Sequence, residues 1–237
     1  MESNDLKLAA GVILGSLLII VGVVFIANLT DKPDVVNVVD AIGENRPEKG
    51  NSASGISIVE FSDFQCPACA VAFSSVGEFL KTYGDQVHFV YRHFPITELH
   101  PNAMPAAYAS EAAGKQGKFW EVHDWLFTNQ SAWETAAVDA DYWFEQFGEE
   151  ISLDRDQFSN DYLSDEVRNV VSNDRAEARN LGVSSTPTFF INGKKIAGAL
   201  SLQSLIDASG VIIDANNAND GVTPEPTVAI EPTVSGE

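Results

Sequence analysis

Residues 59–69 read Val-Glu-Phe-Ser-Asp-Phe-Gln-Cys-Pro-Ala-Cys. The stretch joins two patterns of different period. Ile56 to Phe61 alternates and is rich in β-formers, which predicts a strand. Pro67 to Tyr83 carries Ala, Val, Phe and Leu at helical spacing and stops at Gly84, which predicts a helix. Cys66 and Cys69 fall on the junction. Cys66 takes the N-cap, where a thiolate meets unpaired backbone N–H groups and the positive end of the helix dipole. Both favour the charged form, so Cys66 should ionise below the usual thiol value of about 8.5. Pro67 sits in the first turn, where its missing N–H costs nothing. Cys69 lies one turn on, close enough to attack a mixed disulfide at Cys66. The pattern assigns Cys66 as the nucleophile and Cys69 as the resolving thiol.

The chain has no other cysteine. The two thiols therefore act as one pair, and none is left for a structural disulfide. One such pair supplies two metal ligands, and structural zinc usually wants four. His88, His93, His100 and His123 add no second clustered pair. The expectation is a redox-active Cys66–Cys69 disulfide with no cofactor. A membrane-anchored metal-binding module that uses the two thiolates is the alternative from a different class.

Outward from the motif, Val87 to Tyr91 predicts a second strand. Asn102 to Ala113, Phe119 to Phe127, Asp139 to Phe147 and Leu163 to Asn180 suit helices. Thr188 to Ile191 and Lys195 to Ala197, joined through Asn192-Gly193, predict a hairpin with a tight turn. Ser201 to Ala208 closes the domain as a helix. The order is β-α-β, a helical block, then α-β-β-α. That is an α/β, thioredoxin-like plan with a helical insertion at about 99–163. In such a fold a cis-proline faces the cysteine pair, and Thr186-Pro187 stands at that point, although Thr-Pro taken alone is just as well an ordinary strand start. It would let backbone groups of Thr186 pair with an extended substrate.

The ends differ from this middle. Residues 8–29 contain no charged side chain, and roughly 20 apolar residues span a hydrocarbon core as a helix. The segment reads as an uncleaved transmembrane anchor rather than a cleaved signal, because the run is long and Phe25 spoils the cleavage site. Residues 30–54 read as a polar stalk, 55–213 as the folded domain, and 214–237 as a disordered acidic tail. Lys7 and Lys32 flank the span and nearly balance, so charge does not orient it. A disulfide donor is useless against a reducing cytosol. The expectation is therefore a cytosolic 1–7, a single pass through the cell membrane and a catalytic domain on the extracytoplasmic side. With 34 acidic and 14 basic residues the net charge is −20, which disfavours nucleic-acid binding.

The chain resembles the DsbA family of disulfide oxidoreductases, including its membrane-anchored, BdbD-like branch. The resemblance covers roughly Ile56 to Ala208. It rests on Val59-Glu60-Phe61 leading into Phe64-Gln65-Cys66-Pro67-Ala68-Cys69. Further support comes from Tyr91-Arg92-His93-Phe94-Pro95, His100-Pro101, Gly117-Lys118-Phe119-Trp120-Glu121, and Gly182-Val183 with Thr186-Pro187-Thr188-Phe189. It implies a disulfide exchanged with the thiols of exported proteins and re-oxidation by a membrane quinone-linked thiol oxidase. It also implies that Glu60 is a buried acid exchanging protons with Cys69. Strand alternation puts Glu60 on the face of Ile58 and Ser62 but leaves open whether that face is buried. Two positions depart from strong oxidants of the family. Ala68 stands where several have histidine, and Thr186 replaces the valine of some. Oxidase, reductase and isomerase all remain open, with oxidase leading. His93, His100 and His123 read as structural, and Phe64, Phe94 and Phe189 as core.

Overall fold

The computed structural model describes residues 35–213. Five strands form one mixed sheet: β1 Glu48–Gly50, β2 Ser57–Ser62, β3 His88–His93, β4 Thr188–Ile191 and β5 Lys194–Ala197. Their spatial order is β1-β3-β2-β4-β5. The two strands flanking the first helix crossover, β2 and β3, run parallel, and every other pairing is antiparallel. That crossover is α2 (Pro67–Tyr83), and α1 is the short Val38–Ile42.

Six helices lie between β3 and β4. They are α3 Ala103–Gly114, α4 Phe119–Thr128, α5 Gln130–Trp133, α6 Ala140–Trp143, α7 Arg155–Leu163 and α8 Asp165–Asn180. A π-turn over Phe144–Gly148 extends α6, and α9 Leu202–Ser209 is the last element among the described residues. The thioredoxin-like α/β plan with a helical insertion is therefore the observed one.

The sheet has a different core on each face. Ile58 belongs to the larger cluster, with Cys69, Phe64, Tyr91, Phe127, Trp133 and Leu205. Val59 and Phe61 point the other way, to Ala41, Val90, Ala178 and Phe190. Side chains two apart on a strand share a face, so Glu60 and Ser62 go with Ile58, beneath α2. The β4–β5 turn has φ of 50° at Asn192 and 81° at Gly193. Positive φ at both central residues is what an Asn-Gly hairpin turn accommodates.

Over its described part, the expected stalk at 30–54 is folded. Asn37 caps α1 by accepting from Val39 N, Ala41 is buried, and Val35 bridges Lys194. Strand β1 pairs antiparallel with β3. The physical reason is the open edge of β3, whose backbone groups need partners. Helix α7 also falls where no helix was expected. The segment expected to cross a membrane, 8–29, lies outside the described residues, as do the N-terminal 1–7 and the tail at 214–237. Among the described residues no helix is long and apolar enough to cross a membrane.

Candidate active site

Cys66 is the N-cap of α2 with extended backbone (φ −76°, ψ 122°), and Pro67 opens the first turn. Both cysteines are free thiols. They differ in access: Cys66 is 8% exposed and Cys69 is 0% exposed. Two elements hold the loop in front of the helix. Asp63, fully desolvated, accepts from Gln65 N, Ile96 N and His100 Nδ1, each at 2.8 Å. Gln130, opening α5, donates from Nε2 to Phe64 O at 2.8 Å and to Cys66 O at 3.1 Å. Gln65 adds a third tie, donating to Glu134 O at 2.7 Å and accepting from Asn102 N at 2.6 Å. The insertion thus grips the cysteine loop from above.

The loop before β4 approaches from the other side. The Thr186–Pro187 peptide is cis. The Cys66 thiol donates to Thr186 O across 3.5 Å. The Thr186 hydroxyl is buried and has no hydrogen-bond partner among the described residues. It is therefore available to a thiolate at Cys66.

These surroundings split the two thiols. Cys66 is pulled down to about 5, chiefly by the Cys69 thiol; burial opposes this, and the Thr186 hydroxyl and the backbone N–H groups of Cys69 and Ala68 add to it. Cys69 is pushed well above the ordinary thiol value by burial first, then by Cys66 and Glu60. Such asymmetry makes one sulfur the nucleophile at neutral pH and keeps the other protonated.

Glu60 lies in β2 opposite Tyr91 of β3 and Phe189 of β4. It is 3% exposed, in the sheet's central strand rather than at an edge in water. Burial lifts its carboxyl from 4.5 to about 7, against a smaller opposing effect of the Ser62 hydroxyl. A carboxyl with that value both takes and gives a proton at neutral pH. All five residues singled out in the sequence (Glu60, Cys66, Cys69, Thr186 and Pro187) meet at this one place.

The histidines are each paired with an acid: His93 to Glu111 Oε1 at 2.9 Å, His100 to Asp63, His123 to Asp124 Oδ1 at 2.7 Å. Phe64, Phe94 and Phe189 are buried core. Sequence reasoning missed Asp63, Gln130 and Tyr91. Asp63 carried a signal, a short acid just before a helix start. Gln130 carried none. Among the described residues, no three His, Cys, Asp or Glu side chains are grouped to hold a metal ion.

Fold and paired thiols together define a thioredoxin-like thiol–disulfide oxidoreductase domain. Residues 44–208 match the family model described as Thioredoxin, and the chain belongs to the thioredoxin family. A thioredoxin-like oxidoreductase from Silicibacter pomeroyi DSS-3 superposes with a TM-score of 0.61 at 28% identity, over 73% of this chain and 95% of that one. Oxidised BdbD from Bacillus subtilis superposes with a TM-score of 0.61 at 23% identity, over 70% of this chain and 91% of that one. The resemblance to DsbA- and BdbD-type proteins is borne out, the BdbD likeness at the level of fold. Among curated proteins, Na(+)/H(+) antiporter NhaA 1 of Mycolicibacterium gilvum (strain PYR-GCK) is 36% identical over 165 residues, 68% of this chain and 25% of that protein. The chain thus spans about a quarter of the length of the curated relatives it matches.

These relatives correct one expectation. The placement as a single-pass cell-membrane protein with an extracytoplasmic domain rested on one apolar segment and on a presumed fate as a disulfide donor. The matching relatives carry this region in proteins named Na(+)/H(+) antiporters, and no helix among the described residues is fit to cross a membrane. The single-pass assignment does not stand.

Proposed function

We propose that the chain oxidises protein thiols by donating a Cys66–Cys69 disulfide. A substrate thiolate attacks Cys66 Sγ and forms a mixed disulfide, and Cys69 leaves as a thiolate that takes a proton from Glu60. A second substrate thiolate then attacks the mixed disulfide at the substrate sulfur. The substrate disulfide is released and Cys66 departs as its thiolate. The backbone of Thr186, beside cis-Pro187, lines up the substrate segment.

The observation that supports this direction is the environment of Cys66. Its thiolate is favoured first by the Cys69 thiol, then by the Thr186 hydroxyl and the backbone N–H groups of Cys69 and Ala68, at the N-cap of α2. A stabilised thiolate stabilises the reduced protein, which makes the disulfide the stronger oxidant. Re-oxidation by a quinone-linked thiol oxidase is part of this reading, and the likeness to DsbA-type proteins supports a redox partner of some kind. The antiporter name belongs to proteins of which the matching region is only about a quarter, and ion transport forms no part of this reading.

A reductase or isomerase role is the second reading, favoured by Ala68, which gives the Cys66 thiolate no side-chain donor. The reduction potential against glutathione separates the two. A value well above that of the glutathione couple supports the oxidase, and a value at or below it supports the reductase.

A further inference from the structure

Glu60 is buried, yet it is not sealed off. A cavity of about 230 Å³ has Glu60 in its wall together with His123, Asp124 and Lys49. Glu60 and His123 are desolvated, whereas the side chains of Lys49 and Asp124 are 36% and 49% exposed. The space therefore leads from the buried acid to the surface. Phe73, Leu80 and Phe127 supply apolar wall between. At about 30 Å³ per molecule, the volume accommodates several waters. Ser62 and Tyr91, both buried, place their hydroxyls beside Glu60.

His123 shares the wall of this cavity with Glu60 and is held in place. Its Nδ1 bonds Asp124 Oδ1 at 2.7 Å. Asp124 Oδ2 lies 3.7 Å from Lys49 Nζ, and that ammonium sits 4.3 Å over the Trp120 ring. The imidazole packs edge-on against Tyr91 at 4.9 Å and Phe127 at 5.1 Å between centroids.

We propose that His123, oriented by Asp124, relays protons between solvent and Glu60 through this cavity. The inference rests on the thiol–disulfide reading above and adds a residue and a route to it. Burial lowers the basicity of His123, so the ring is neutral at pH 7, with one nitrogen to accept and one to donate. The groups facing it are Asp124 on α4, Lys49 on β1, and His93 and Tyr91 on β3. Those facing Glu60 are Cys69 on α2, Tyr91 on β3 and His123 on α4; β4 presents apolar Phe189.

The relay closes the proton balance of each turnover. Two substrate thiols become one disulfide and release two protons. One proton's equivalent ends on Cys69, delivered from Glu60, and the Cys66 thiolate takes none. Glu60 is left as a carboxylate and regains its proton through His123, so that one proton goes to the solvent overall. In re-oxidation the thiol oxidase named above holds Cys66 in a mixed disulfide: Cys69 gives its proton to the Glu60 carboxylate and attacks Cys66 Sγ, the oxidase sulfur leaves as its thiolate with the electron pair, and the proton departs from Glu60 through His123.

The test compares the full 237-residue wild-type chain with His123→Phe, which keeps an aromatic ring in the cluster, and with His123→Ala. Single-turnover oxidation of a dithiol peptide is followed in H₂O and D₂O. His123→Phe should react about tenfold more slowly or worse, with a larger solvent isotope effect and an unchanged reduction potential. Imidazole should restore the rate of His123→Ala. An unchanged rate in His123→Phe overturns the relay. So does a slow rate that imidazole leaves alone and that comes with a shifted potential, since packing then explains it. If the wild type exchanges no thiols, the oxidoreductase reading falls on its own. Deuterium uptake by the Glu60 carboxyl, read from its infrared carbonyl band, then decides the route: slower uptake in His123→Phe supports it, and equal uptake overturns it.

Discussion

The Cys66 thiol donates to the Thr186 carbonyl oxygen across 3.5 Å, joining residues 120 positions apart. This contact brings the start of α2 to the turn before β4. It also sets what changes on ionisation. The thiol uses the carbonyl, whereas the thiolate uses the Thr186 hydroxyl and the helix N–H groups. Loss of the proton therefore frees the carbonyl for a substrate backbone N–H. Valine at 186 would keep the carbonyl and delete the hydroxyl. Thr186→Val should raise the Cys66 pKa and make the protein less oxidising, with little loss of fold. Thiolate absorbance and glutathione equilibration check both shifts together.

Cys69→Ser should accumulate mixed disulfides with substrate proteins, and Cys66→Ser should accumulate none. The reason is access: Cys66 is partly open and Cys69 is not. Non-reducing gels of each variant, incubated with a reduced dithiol protein, read the outcome directly. Trapping through Cys69 instead would reverse the assigned roles.

Glu60 should make stability fall as pH rises through the window from 4.5 to about 7. Its folded value is raised, so in that window the unfolded chain has lost the proton that the native chain keeps. The unfolded state binds fewer protons, and stability decreases with pH. At about 1.4 kcal/mol per pH unit the full effect is on the order of 3 kcal/mol. Glu60→Gln should thus gain on the wild type as pH rises from 4 to 8, measured by denaturant unfolding of the oxidised forms. A pH-independent difference would place the wild-type carboxyl in a solvated setting.

Ala68→His should lower the Cys66 pKa and make the protein more oxidising. Ala68 is partly buried against the core and presents only a methyl group. An imidazole there adds a donor to the thiolate. A favourable contact of about 1 kcal/mol corresponds to roughly 20 mV for a two-electron couple. Potential and pKa should move together because one thiolate sets both, and movement of either alone would contradict that.

Gln130→Ala should cost about 1–2 kcal/mol, because it leaves the buried Phe64 carbonyl without its donor. It should also loosen the cysteine loop, which Gln130 ties to the insertion. Thermal unfolding and the alkylation rate of Cys66 report the two effects.

What the sequence disclosed follows from how local the cause is. The strand, Cys66, Pro67 and α2 are written in consecutive residues whose period changes at the cysteines. Helix α7 also had a local signal: Asp154 caps it by accepting from Gln157 N at 2.8 Å, an acid three residues before a glutamine. It was hidden by the polar sequence of the helix itself. Strand β1 had no such signal, since Glu48-Lys49-Gly50 is a strand because β3 offers it an edge. Glu60 shows the boundary most clearly. Alternation placed it with Ile58 and Ser62, but only the pairing of β2 with both β3 and β4 makes that face interior. The grips of Gln130 and Asp63 on the loop join separate segments through single side chains, and no periodicity records them.

The central claim is that the fold stabilises a thiolate at Cys66 and suppresses one at Cys69. Ultraviolet thiolate absorbance, titrated with pH on Cys69→Ser and Cys66→Ser alongside the wild type, tests it most directly. The wild type should show one thiolate appearing near pH 5. Cys69→Ser should retain a transition well below the ordinary thiol range, displaced upward by loss of the Cys69 contribution. Cys66→Ser should show none below the ordinary range. A wild-type transition near 9, or a low one that survives in Cys66→Ser, would contradict the account.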